Sequence, residues 1–209
     1  FCLRYVIFAN RMRMPTVILR LITLNQNIML VYQKERMIEE WKIRTGYGDF
    51  RRDCTVERDD GLDINAYIEQ RINVCYRKLL SEAPFDLLPI KNFAGDVSMQ
   101  VMPDLSGFIA LPNDCLRVSE IRVSGWKRMV KSSEFAVGER AALQSNEWIR
   151  GGCVNPVVVE GHRSLTVYSV PDKSAVVELL FGVSYQEPGV YAFDEAAWEV
   201  LLQYDKEMP

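Results

Sequence analysis

The sequence predicts an α+β fold, with helices at both ends packed around an inserted antiparallel β-domain of hairpins, a small sandwich or barrel-like. Three observations lead there. Apolar residues recur at helical spacing across residues 34–84, then alternate with period two between Val97 and Val183, and return to helical spacing from Trp198 to Leu202. No internal repeat or low-complexity tract interrupts that order. With 209 residues, 48% apolar and 25% charged, the chain has material for one core or two small ones.

The elements follow in order. From Asn27 to Arg44, Ile28, Val31, Tyr32, Met37, Ile38 and Trp41 predict an amphipathic helix closed by Gly46. A polar loop, Tyr47 to Gly61, separates it from a second helix. There Ile64, Ile68, Ile72, Cys75 and Leu79 draw one stripe, Asp63 is placed as N-cap and Pro84 stops the helix. Val97–Met102 and Gly107–Leu111 flank the turn-forming Pro103-Asp104-Leu105-Ser106, which predicts a hairpin. In Cys115–Ser124 the alternation slips phase, and a β-bulge near Ser119-Glu120 restores one buried face.

Ser124-Gly125 turns the chain into a strand from Trp126 to Lys131, and Ser133–Trp148 reads as short helical or irregular structure. Val157–Glu160 and Leu165–Val170 form a second hairpin around Gly161-His162. Ala175–Val183 suits a strand covered on both faces. Asp194 is expected to cap a last helix whose Trp198, Leu201 and Leu202 need cover from the earlier helices or from a partner chain. The division is residues 1–33 as a basic N-terminal arm, 34–84 as a helical part, 85–188 as the β-domain and 189–209 as a C-terminal helix packing with the helical part.

The net charge of −3 averages two unlike regions. Residues 1–33 carry Arg4, Arg11, Arg13 and Arg20 with no acid, whereas residues 59–209 hold 14 basic and 22 acidic residues. One expectation is an arm that contacts a polyanion or an acidic partner. The plain alternative is a leader, or an extension upstream of Met12 or Met14. Pro15–Tyr32 is too polar, through Arg20 and Asn25-Gln26-Asn27, for a signal core or a membrane span. Five widely spaced cysteines without a Cys-x-x-Cys pair predict reduced, mostly buried thiols and synthesis in a cytoplasm.

Chemistry-bearing patterns are sparse. The one histidine, His162, falls in a turn, and nothing in the spacing brings it to Cys153 as a base to a nucleophile. Paired zinc ligands are absent from the sequence, and Gly46-Tyr47-Gly48 puts Arg51 where a dinucleotide fingerprint needs its third glycine. Asp59-Asp60-Gly61-Leu62-Asp63 lacks calcium-loop spacing and reads as acids favouring a helix dipole. Trp126-Lys127-Arg128-Met129-Val130-Lys131 interleaves three cations with an aromatic, as a nucleic-acid contact does, yet charges on an edge hairpin also block aggregation.

One long segment resembles a known group of proteins. It includes Leu62-Asp63-Ile64-Asn65-Ala66-Tyr67-Ile68, Glu82-Ala83-Pro84, Leu87-Leu88-Pro89, and Gly107-Phe108-Ile109-Ala110-Leu111-Pro112. Asn113-Asp114-Cys115-Leu116-Arg117 and Ser124-Gly125-Trp126-Lys127-Arg128 follow, then Leu143-Gln144-Ser145-Asn146-Glu147-Trp148-Ile149-Arg150-Gly151-Gly152 and Asn155-Pro156-Val157-Val158. This resembles an uncharacterised family of virion proteins from tailed phages and prophages of gut bacteria, similar to head-to-tail connector (adaptor) proteins.

The resemblance implies a non-enzymatic, ring-forming structural protein of the virion neck or tail region, synthesised in the host cytoplasm. It would dock on the portal, join capsid to tail through tail or stopper proteins, and let genomic DNA pass a channel without sequence recognition. No cofactor, metal or membrane is expected.

Ring closure needs two different patches per subunit, and aromatic and Arg residues commonly anchor such patches. Trp126, Lys127, Arg128, Trp148 and Arg150, in or beside turns, are the expected contacts, with Arg11, Arg13 and Arg20 of the arm. The bland alternative has both tryptophans plugging the ends of the β-domain. A β-rich ligand- or carbohydrate-binding module, another tail or baseplate subunit, and a hydrolase using His162 or an acid pair are the competing readings.

Overall fold

The computed structural model describes residues 29–46, 63–146 and 148–208. They form a mixed α/β structure of four α-helices and ten strands, all pairings antiparallel, in three sheets. Arg11, Arg13 and Arg20, the polar loop 47–61 and Glu147 lie outside the described residues.

Helix α1 (Lys34–Thr45) buries Met37, Ile38 and Trp41 and ends at Gly46, whose φ of +77° is the left-handed conformation glycine adopts without strain. Residues 29–33, expected to be helical, are instead strand β1 (Met29–Gln33). It pairs antiparallel with β10 (Val190–Asp194), with Val31 opposite Ala192. Spacing at 28, 31 and 32 satisfies a helix, but the strand partner lies 160 residues away and decides the outcome. Tyr32 stacks on Phe193 at 5.5 Å between ring centres.

Helix α2 (Ile64–Glu82) begins at Asp63, which accepts a hydrogen bond from Asn65 N at 2.8 Å, and stops before Pro84. Its apolar stripe meets α1, β10 and α4 (Ala197–Glu207) in the first of two cores. Phe193 lies edge-on to Trp198 at 5.4 Å, and Trp41 lies 6.1 Å from Trp198. Arg71 locks α2 to α4, donating to the Asp205 carboxylate at 2.6 Å and to its carbonyl at 2.8 Å. Earlier helices therefore cover the face of α4. Its N-cap is Ala196 and not Asp194, which ends β10 and accepts from Ala196 N at 2.9 Å in a tight turn.

The second core lies between two four-stranded sheets. One has the order β2-β9-β5-β6: β2 Ile90–Asn92, β9 Val177–Ser184, β5 Cys115–Val123 and β6 Val130–Lys131. The other has the order β3-β4-β8-β7: β3 Met99–Val101, β4 Gly107–Ala110, β8 Ser164–Tyr168 and β7 Val157–Gly161. Ile109, Leu165 and Val167 of the second face Val118, Ile121 and Leu180 of the first, all buried. Both expected hairpins form, and β5 shifts register between Val118 and Glu120, where the phase slip occurs.

A second shift, between Cys115 and Arg117, brings the Arg117 carbonyl against Gly182. A Cβ there would stand 2.8 Å from that oxygen, so the position excludes a side chain. Only Val130–Lys131 of the expected strand Trp126–Lys131 pairs, because Trp126 turns inward. The stretch 133–148 holds a short helix, α3 (Gly138–Ala142), followed by a 3-10 turn.

β5 gives the molecule its direction. Near its start Arg117 reaches the end of α2, and beyond its other end lie the Ser124-Gly125 turn and Trp126. Nine extended residues separate those ends by about 30 Å.

Candidate interaction surface

β6 and β7 are each the terminal strand of their sheet, and residues 132–156 connect one to the other. This excursion contains or adjoins every contact residue expected within the described chain. It is pinned at many points. Ala136 N donates to Val158 O at 2.7 Å, Lys127 N to Cys153 O at 2.9 Å, and Arg150 N to Asn146 O at 3.0 Å. The buried Gln144 side chain accepts from Gly151 N at 2.9 Å and donates to Arg140 O at 3.0 Å, joining both arms of the loop. At Gly151 a Cβ would meet Val157 Cγ2 at 2.6 Å and Asn155 O at 2.7 Å, so close approach there requires glycine.

The two arginines serve this scaffold. Arg128 donates to the Glu134 carboxylate, to Met129 O at 3.2 Å and to Asn155 Oδ1 at 3.0 Å. Arg150, its side chain only 12% exposed, donates to Asp104 O and lies 3.6 Å from the Asp104 carboxylate, tying the excursion to the β3–β4 turn. Hydrogen bonds from Ser106 Oγ and N, with the Arg150 charge nearby, hold the Asp104 carboxyl below its ordinary pKa.

Expectation and structure part at the tryptophans. Trp126, expected at a contact surface, is 2% exposed and donates from Nε1 to Ser169 O at 3.1 Å. Gly125 at φ +81° turns the chain so that the indole plugs the distal end of the sandwich. Burial of this indole by its own chain removes it from the contact set. Trp148 is the opposite case at 94% exposed, with Asn146 Oδ1 accepting its backbone N–H at 3.0 Å. Ile149, next in the chain, is 53% exposed, Val154, six residues on, is 72% exposed, and Lys127 is exposed. Val154 escaped the sequence reading. Its signal was an apolar residue inside Gly151-Gly152-Cys153-Val154-Asn155-Pro156, a run too turn-rich to carry it inward.

Elsewhere the geometry supports little chemistry. His162 sits exposed in the two-residue turn between β7 and β8, while Cys153 Sγ lies 3.5 Å from Ser169 O at the other end of that hairpin. The two are not neighbours. Burial pushes the Cys75 and Cys115 thiols up to about 11. Among the described residues no group of three or more His, Cys, Asp or Glu is placed to hold a metal ion, and no helix is long and apolar enough to cross a membrane. A shallow cleft between α2 and residues 185–191 has polar walls that already bond each other, Tyr191 Oη to Asn73 at 2.8 Å.

In comparisons with known proteins, no family model, no curated protein and no solved structure matches the chain.

Proposed function

We propose that this chain is a structural subunit of a tailed-phage virion, a ring-forming head-to-tail connector that docks on the portal and joins capsid to tail. In this reading helices from both ends of the chain enclose an inserted β-domain that presents contact surfaces. The single observation that carries it is Trp148, almost wholly exposed on an excursion pinned by Arg128, Gln144 and Arg150. A large apolar side chain held in water on a preorganised loop costs little entropy to dock, and such residues dominate protein contacts.

The sequence resemblance supplies the virion, the portal and the tail or stopper proteins as partners, and the host cytoplasm as the site of synthesis. The ring would surround passing DNA without reading its sequence, and the reading assigns the chain no catalytic role. The arm bearing Arg11, Arg13 and Arg20 would reach a neighbouring subunit or an acidic portal surface.

Native mass spectrometry and negative-stain imaging of the full chain, alone and mixed with the portal of its virus, test the reading. Closed rings, or portal-bound rings, are the expected result. A strict monomer indifferent to portal would overturn it and favour a ligand-binding module using Trp148.

A further inference from the structure

We propose that the outer edge of β1 is closed by residues 16–24 of the same chain, which lie outside the described residues and add a third strand through a hairpin at Asn25-Gln26-Asn27. The proposal does not rest on the ring reading above.

The edge is defined by Tyr76. Its hydroxyl bonds both the N–H and the C=O of Ala192, so those two groups point away from β1. Ala192 stands opposite Val31 in the antiparallel register. Opposite residues whose backbone groups point apart are a non-hydrogen-bonded pair, and the Val31 N–H and C=O therefore point outward on the other side. Met29, two residues earlier and opposite Asp194, repeats that orientation. Among the described residues no strand lies there to receive these groups, since β1 pairs with β10 alone. Edges are commonly guarded by charge, proline or a bulge, and Met29-Leu30-Val31-Tyr32-Gln33 has none of the three. A ribbon of two strands gains stability from a third.

The occupant is the run that feeds directly into this edge. Thr16-Val17-Ile18-Leu19-Arg20-Leu21-Ile22-Thr23-Leu24 holds five β-branched residues in nine and no glycine, proline, asparagine or aspartate. Pro15 precedes it, and Asn25-Gln26-Asn27 separates it from the run that becomes β1. Two strand-like runs joined by a few turn-forming residues are the signature of a hairpin. So short a connection gives the segment an effective concentration on the order of millimolar at its own edge, which favours it over a second copy.

Side-chain alternation selects the register. With a four-residue loop, Asn25 to Ile28, Leu24 faces Met29, Ile22 faces Val31 and Arg20 faces Gln33. Leu19 and Leu21 then share the sheet face of Tyr32, which packs on Phe193 and Trp198. Arg20 shares the face of Val31, which is 36% exposed. A slip of one residue would turn the arginine toward the aromatic core.

Two measurements on the full chain test this. The first is amide hydrogen exchange read residue by residue. Met29 and Val31 should be protected in the wild type, and Ile22→Pro, which removes the donor opposite Val31, should speed their exchange on the order of 100-fold. Leu30 and Tyr32, whose amides face β10, should keep their rates. The second measurement places Arg20→Cys and Gln33→Cys in one chain. Residues paired across strands stand within disulfide reach, so mild oxidation should give an intrachain bond about 10-fold faster than in the off-register pair Leu19→Cys with Gln33→Cys.

Unprotected Met29 and Val31 amides in the wild type overturn the proposal. Protection that Ile22→Pro leaves intact also does, because another element then covers the edge. An interchain disulfide assigns the edge to a second copy, and equal oxidation of the two pairs means no fixed strand; either result overturns it.

Discussion

Arg117 on β5 closes the C-terminus of α2: its Nη1 donates to the Ala83 carbonyl at 2.9 Å and to the Leu80 carbonyl at 3.3 Å. The guanidinium also covers the Phe85 ring at 4.4 Å. One side chain thus satisfies carbonyls that a helix end leaves without partners, and it joins the two cores.

Replacing it with methionine retains much of the packing but removes the donors. Arg117→Met should lower unfolding free energy by about 2 kcal/mol, the usual cost of losing charge-assisted hydrogen bonds, measured by urea denaturation. Arg117→Lys should recover only part, since one ammonium does not reproduce the planar stacking on Phe85.

Tyr76 holds the free edge of β10. Its hydroxyl accepts from Ala192 N at 3.0 Å and donates to Ala192 O at 3.2 Å, taking the place of a neighbouring strand. Tyr76→Phe leaves both buried groups without a partner, and a loss of about 2 kcal/mol is expected, with secondary structure unchanged by circular dichroism.

Alkaline pH should unfold the protein through the same residue and its neighbours. Burial raises Tyr76 and Tyr191 to about 12, and Cys75 and Cys115 to about 11. For an acid whose folded pKa is raised, stability is complete below the unfolded value and drains as pH rises toward the folded one. The melting temperature should therefore stay level near neutrality, begin falling at about pH 9 where unfolded thiols ionise, and fall further through the phenol range. Tyr76→Phe, though less stable, should show a shallower alkaline limb.

The four tryptophans should divide three to one in fluorescence quenching. Trp41, Trp126 and Trp198 are at most 2% exposed, and Trp148 is 94% exposed. Acrylamide should quench one component readily, and Trp148→Phe should remove that component. Trp148→Ser should change stability by less than about 0.5 kcal/mol, whereas Trp126→Ala should cost about 3–5 kcal/mol.

Local signals were legible wherever the chain closes its own hydrogen bonds. Asp63 ahead of a four-three stripe marks α2, Pro103 to Ser106 marks the first hairpin, and the slipped alternation in β5 marks its bulge. At Asp194 the cap residue type is right but the position is two residues early, because β10 uses it as its last paired residue.

The candidate surface was half visible. Turn residues around 148–155 announce an excursion, yet Trp126 and Trp148 both sit beside glycine- or asparagine-rich turns, and sequence treats them alike.

Apolar period, caps and turn chemistry therefore determine the α+β class, the α2 helix and the two hairpins, since each depends on residues within a few positions of one another. Only the tertiary structure decides that residues 29–33 are a strand, that Arg117 belongs to α2, that Arg128 and Arg150 serve the loop, and that one tryptophan is core while the other is surface. Those outcomes depend on partners tens to more than a hundred residues away, and no local pattern encodes which distant backbone will be there to accept a hydrogen bond or exclude water.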